Sequence, residues 1–208
     1  MIKLENTVLA NPELMKSLVW YLTDNTISHR KFMSMMPVRV KITAPMYWWD
    51  EFDTYKVDRI VNSCDIMRKI QEKGFTLEDF SHEHLTPRFR DQLRDVLNEL
   101  NYLRDKYNYF EEEKAMNMRG GYVFDSKKDI WWQIIQLLPS SYNQTSVVKM
   151  KYEALAKIYK THKDDKLDEW REFCKWIETL PYSTLITGEH VKPDNTRGTG
   201  LRQPGDED

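Results

Sequence analysis

Hydrophobic and polar residues alternate in two short stretches of the chain. Residues 38–43 read Val-Arg-Val-Lys-Ile-Thr, and within residues 143–150 Val148 and Met150 alternate with polar positions. A period of two is typical of a β-strand with one buried and one exposed face. The pattern therefore predicts two half-buried strands, one in each half of the chain.

Apolar residues elsewhere recur at helical spacing. The clearest case is the stripe Leu93, Leu97, Leu100 and Leu103, which follows a Thr86-Pro87 helix start. The predicted helices begin near Asn11, Met46, Thr86, Asp125 or Ser126, Tyr152, and Asp164 or Asp165. This element order predicts an α+β fold, in which several long helices wrap a small, mostly antiparallel sheet. Residues 1–187 form one predicted domain, and the Gly-, Pro- and charge-rich residues 188–208 form a predicted flexible tail.

Composition narrows the functional classes. The 208 residues are 40% hydrophobic and 31% charged, with a net charge of −2. Such a balance gives no reason to expect general nucleic-acid binding, which relies on clustered cations. The sequence shows no apolar run of membrane-spanning length and no signal-peptide core. With two cysteines at no metal spacing, a reduced, cytoplasmic protein is expected.

An aromatic stretch stands out between Ile42 and Lys69. A helix from Met46 would place Trp48, Phe52 and Tyr55 on one face, and such a stripe is more often core or subunit interface than a cofactor site. Tyr47 and Trp49 would point elsewhere. Those two residues are therefore the candidates for stacking on a planar ligand.

Standard catalytic motifs are absent from the sequence. It has no phosphate-binding Gly-rich loop, no Gly-x-Ser-x-Gly and no Cys-x-x-Cys. His82-Glu83-His84 lacks a third metal ligand at a usual spacing, so no metal site is predicted. Cys64 is expected to be a small buried residue, and Cys174 a packing residue of the last helix.

Scattered residues, taken in order, resemble the flavin-dependent thymidylate synthases. In the first half they are His29, Phe32, the segment Ile-Thr-Ala-Pro-Met-Tyr at 42–47, and Asn62-Ser63. In the second half they are Leu138-Pro139, Tyr142, Thr145 and Glu169-Trp170-Arg171. The resemblance covers residues 12–180 and rests on layout and on these residues.

The resemblance implies a protein that binds FAD and a pyrimidine nucleotide, with a homotetramer as the family's assembly. The cofactor-binding residues it implies are His29, Lys56, Asn62 and His162. The predicted substrate-binding residues are Lys56, Ser63 and Arg171 at positions matched to the family, together with the stacking candidates Tyr47 and Trp49. Ordinary alternatives exist: His29 as a cap at the strand entry, Lys56 as a solvated cation, and Arg171 as an ion-pair partner of Asp168 or Glu172.

The chain also departs from the family at its signature. Asp50-Glu51 stands where the family has Arg-Gln, and Thr54-Tyr55-Lys56 stands where it has Arg-His-Arg. Arginine binds phosphate through two hydrogen bonds, whereas a carboxylate repels it. The sequence thus leaves three hypotheses: a thymidylate synthase-like enzyme, a non-catalytic nucleotide-binding homo-oligomer of phage origin, or a structural protein.

Overall fold

The computed structural model describes residues 1–9, 11, 13, 15, 33–60, 70–111 and 124–187. Its centre is a four-stranded sheet in the order β1-β2-β4-β3, and every neighbouring pair is antiparallel. The strands are β1 (Lys3–Leu9), β2 (Pro37–Pro45), β3 (Asp58–Ile60) and β4 (Asn143–Lys151).

Strands β2 and β4 are the two that the alternating pattern predicts, and the structure confirms both. They pair along their whole length, from Pro37 opposite Lys151 to Pro45 opposite Asn143. The alternate positions Val38, Val40, Val148 and Met150 are buried on one face, whereas Arg39 and Lys149 are exposed on the other. One face of the sheet therefore supports the core.

Six α-helices are present among the described residues. They are α1 (Met46–Phe52), α2 (Pro87–Asn108), α3 (Lys127–Leu137), α4 (Tyr152–His162), α5 (Asp168–Glu178) and α6 (Thr184–Thr187). Antiparallel strands together with these helices confirm the predicted α+β fold. Helix α5 begins later than the predicted start at Asp164 or Asp165, because the Asp165 carboxylate accepts hydrogen bonds from His162 and from the Leu167 N–H ahead of the helix.

The buried side chains form two apolar clusters. The first joins the covered face of the sheet to α1, α4 and α5, and the second joins α2 and α3 to residues 70–80. Helix α1 follows β2 directly and places Trp48, Trp49 and Phe52 in the first cluster. None of the described helices is long and apolar enough to cross a membrane.

Candidate functional site

The aromatic stretch after β2 is part of the core. Trp48 is fully buried, and its ring stacks on Phe52 at 4.7 Å between centroids and lies 4.8 Å from Trp170. Trp49 is only 2% exposed, and its Nε1 donates to the Gln144 carbonyl at 3.1 Å. Trp49 therefore has no free face on which a flavin or a base could stack in this structure.

A hydrogen-bonded chain of three polar side chains borders this core. The buried His162 ring is bonded through Nδ1 to Asp165 Oδ2 and through Nε2 to the Tyr55 hydroxyl, each at 2.7 Å. Burial alone would raise the pKa of Asp165, but the His162 bond and the Leu167 N–H lower it. Asp165 therefore stays an acceptor, which favours a proton on Nδ1 and leaves the Nε2 lone pair facing Tyr55.

Glu51 completes this cluster from the end of α1. Its Oε2 accepts a bond from Trp170 Nε1 at 2.7 Å, while Oε1 lies 3.9 Å from His162 Nε2. The His162 ring is stacked on Trp170 at 3.8 Å, with only 8° between the two planes. Glu51, His162 and Asp165 each present an atom of metal-ligand type within 4.8 Å of the other two. We call these three residues, together with Tyr55, the His162 cluster.

Tyr47 lies at a second polar group, beside α5. Its hydroxyl donates to Glu169 Oε1 at 2.7 Å, and burial together with the Glu169 carboxylate raises the Tyr47 pKa to about 12. Glu169 is itself buried, and the Ser81 hydroxyl lies 3.1 Å from the same Oε1 and 3.3 Å from the Tyr47 hydroxyl. The Tyr47 side chain is therefore fixed by Glu169 and Ser81.

A cavity of about 230 Å³ lies next to Glu169. The cavity is lined by Met1, Ile2, Glu83, His84, Asp168, Glu169 and Glu172. Burial alone would raise the pKa of Glu83, but the Met1 ammonium at 2.7 Å and the Ser81 hydroxyl hold it at about 2. With four carboxylates in its wall, this cavity suits a cation or a neutral polar group and disfavours a phosphate.

Arg171 and Lys56 are the two cations named by the resemblance. Arg171 pairs with Asp168, and it also donates to the Lys166 carbonyl at 2.9 Å. The structure therefore contains the Arg171–Asp168 ion pair, which is one of the ordinary roles that the sequence leaves open for Arg171. Lys56 is exposed where the turn after α1 ends, with a left-handed φ of 50°. Arg171 is therefore held by an ion pair, whereas the Lys56 side chain is open to solvent.

Three predicted site residues, His29, Asn62 and Ser63, lie outside the described residues, as does Cys64. The side chains of residues 82–84 do not converge on one point: His82 contacts the Phe80 carbonyl, Glu83 the Met1 ammonium and His84 the Asp168 carboxylate. Cys174 is buried, as predicted, and burial raises its pKa to about 12.

Sequence reasoning missed the His162 cluster. Glu51 is considered there only as a replacement for a signature residue, and Tyr55 only as such a replacement and as part of the aromatic stripe. Their spacing of four nevertheless places them on one side of a helical turn. His162 and Asp165, three apart at the end of α4, carry the same kind of signal. The missing information was that α4 meets the end of α1 and the turn after it, since these contacts join residues more than 100 positions apart.

The described residues fit a flavin only in part. Lys56 can offer an ammonium group to a phosphate. His162, in contrast, is 2% exposed with both ring nitrogens bonded, so contact with a cofactor would require the ring to leave the His162 cluster. A cofactor role for His162 stays a prediction.

Comparison with known proteins gives a fold relationship. No family model matches the chain, and no curated protein matches it. Among solved structures, thymidylate synthase X (ThyX) from Helicobacter pylori with FAD and dUMP matches with a TM-score of 0.57 and 11% identity. The match covers 91% of this chain and 100% of that one. A second structure of the same enzyme with FAD and dUMP matches with a TM-score of 0.54 and 12% identity, and this match covers 90% of this chain and 97% of that one. The chain therefore has a ThyX-like fold.

Proposed function

We propose that this protein is a ThyX-like homo-oligomer that binds FAD and a pyrimidine nucleotide and transfers a one-carbon or methyl group to a substrate of the dUMP type. The observation that carries the proposal is the fold match, which spans nine-tenths of this chain and the whole of a structure solved with both ligands. The scattered residues shared with the family support the same proposal.

Each proposed ligand contact has a chemical reason. Lys56 binds a nucleotide or flavin phosphate, because it is an exposed cation at the end of the 3-10 turn that follows α1. The resemblance assigns Asn62 and Ser63, whose side chains can form hydrogen bonds, to the base or the phosphate, and it assigns His29 to the flavin. A bound reduced flavin supplies the hydride chemistry, while the protein supplies position and charge.

Arg171 and Tyr47 are the two remaining residues proposed to contact the nucleotide. Arg171 reaches a phosphate only after it releases Asp168. Tyr47 points its hydroxyl at Glu169 beside the acidic cavity, so it suits the base or the ribose better than the phosphate. The nucleotide would therefore lie with its uncharged end towards Tyr47 and with its phosphate towards Lys56.

A second candidate is a ThyX-like protein that binds a nucleotide without catalysis. The hydrogen bonds of Glu51 and Tyr55 favour the non-catalytic protein. These two residues replace family residues, and in this structure they are already bonded to Trp170 and His162. This version keeps the nucleotide and omits the flavin.

Thermal-shift measurements with FAD, dUMP and both together separate the two candidates, because a ligand that binds the native state raises its melting temperature. The proposed enzyme is stabilised by FAD, and dUMP adds a further shift. The non-catalytic protein is stabilised by a nucleotide alone. Lys56→Ala should reduce the rise in melting temperature caused by dUMP or FAD. Lys160→Ala, which removes an exposed cation of α4, is the control and should leave that rise unchanged.

Assembly is tested separately by size-exclusion chromatography with light scattering. A tetramer supports the proposal, since the family shares its sites between subunits. A monomer at all concentrations argues against a family-type active site.

A further inference from the structure

We propose that the His162 cluster is a binding site for one divalent transition-metal ion such as Zn²⁺. Its ligand atoms are His162 Nε2 and Glu51 Oε1, and Asp165 orients the ring. This site is independent of the proposed flavin and nucleotide chemistry, and it differs from the sequence expectation that the protein has no metal site.

The first argument is the orientation of the histidine. A histidine that binds a metal usually donates its other ring N–H to a carboxylate, which fixes the tautomer and makes the free nitrogen a better ligand. Asp165 Oδ2, at 2.7 Å from Nδ1, supplies this carboxylate. Stacking on Trp170 holds the plane of the ring, so Nε2 points in one direction.

The second argument is the position of Glu51. Zinc–nitrogen and zinc–oxygen bonds of about 2.1 Å place two ligand atoms of a tetrahedral site about 3.4 Å apart. Glu51 Oε1 lies 3.9 Å from Nε2, so a shift of about half an ångström closes the site. The Glu51 side chain is 46% exposed, which allows that shift and lets water fill the other coordination positions.

The third argument concerns Tyr55. Its hydroxyl lies 2.7 Å from Nε2, where a metal ion would bind. Tyr55 is therefore a competitor: it satisfies Nε2 in the metal-free protein and has to release it when the ion binds. A site that only stabilises the fold has no reason to respond to Tyr55 and Glu51 in opposite directions.

The choice of metal follows from the ligand atoms. One imidazole nitrogen with carboxylate and water oxygens suits Zn²⁺ and its neighbours in the first transition row, whereas Mg²⁺ and Ca²⁺ prefer oxygen alone. Zn²⁺ should therefore bind, and Mg²⁺ should not.

Isothermal titration calorimetry of the chelator-treated full chain with Zn²⁺ tests the proposal. Glu51→Gln should weaken one Zn²⁺ site by at least about 10-fold, while it keeps an acceptor for Trp170 Nε1. Tyr55→Phe should raise the Zn²⁺ affinity of the same site by about 5-fold, because the ion no longer has to displace one hydrogen bond. Asp165→Asn should weaken it by about 10- to 100-fold.

Two controls make the result specific. Asp50→Asn removes the same charge from the exposed position next to Glu51, and His84→Gln removes the histidine that bonds to Asp168. Neither should change the affinity of this site. Circular dichroism confirms that each variant is folded. The proposal is overturned if folded wild-type protein does not bind Zn²⁺, if Glu51→Gln binds it as wild type does, or if Tyr55→Phe does not bind it more tightly.

Discussion

Trp170 offers the sharpest test of the structural role of the aromatic residues in the first apolar cluster. Its ring is fully buried, lies within 6.3 Å of Trp48, Phe52 and Phe173, and covers one face of His162 at 3.8 Å. Truncation of a buried tryptophan to alanine removes these contacts and leaves a cavity, at a cost of about 3–5 kcal/mol. Since a whole domain is stable by only about 5–15 kcal/mol, Trp170→Ala should lose a large part of its free energy of unfolding.

Urea unfolding followed by circular dichroism measures this loss. Trp170→Phe keeps an aromatic ring but removes the Nε1 bond to Glu51, so its cost should be smaller, about 1–3 kcal/mol. Trp132→Ala is the matched control, because Trp132 is 44% exposed, and its cost should stay below about 1 kcal/mol. The core assignment is wrong if Trp170→Ala costs no more than Trp132→Ala.

Two further predictions follow from polar and sulfur groups. Burial alone would raise the pKa of Asp79, but bonds from Lys73 and Thr76 lower it, so its stabilising effect is complete above about pH 4 and is lost as pH falls through the lowered pKa. Asp79→Ala should therefore lower the free energy of unfolding at pH 7 by about 1 kcal/mol, as measured by urea unfolding. The difference between this variant and wild type should shrink below about pH 4. Glu78→Ala, at the exposed neighbouring position, is the control, and its difference from wild type should not depend on pH in this way. In a Cys64→Ser background, Cys174 should resist a thiol reagent at pH 8 while the protein is folded, because burial raises its pKa to about 12; rapid labelling of the folded protein would contradict its placement.

Local patterns predicted much of the fold. The alternation in residues 38–43 and 143–150 predicted β2 and β4, because one face of each strand packs on helices and the other meets solvent. The leucine stripe of α2 predicted its buried face, with Leu93 to Leu103 in the second cluster. The sequence predicts only an extended segment at residues 1–10, where β1 lies, and leaves loop and strand open for residues 56–69, where β3 lies. Short edge strands such as these lack a clear alternation of apolar and polar residues.

The candidate site was harder to predict, because its contacts are long-range. Trp49 was expected to face a ligand, and helical spacing alone could not show that β4 covers it through the Gln144 carbonyl. The bond between Tyr55 and His162 joins two segments 107 residues apart. Sequence spacing predicts which residues share one face of a helix, but not which face meets another helix.

The identity of the ligand tests the central claim most directly. The protein should be purified under native conditions, denatured, and the released small molecules identified by mass spectrometry, both as isolated and after incubation with FAD and dUMP followed by desalting. The account predicts FAD and a pyrimidine nucleotide, each in an amount close to that of the protein chain. Release of neither ligand after incubation would contradict the proposed function and leave only the fold relationship to ThyX.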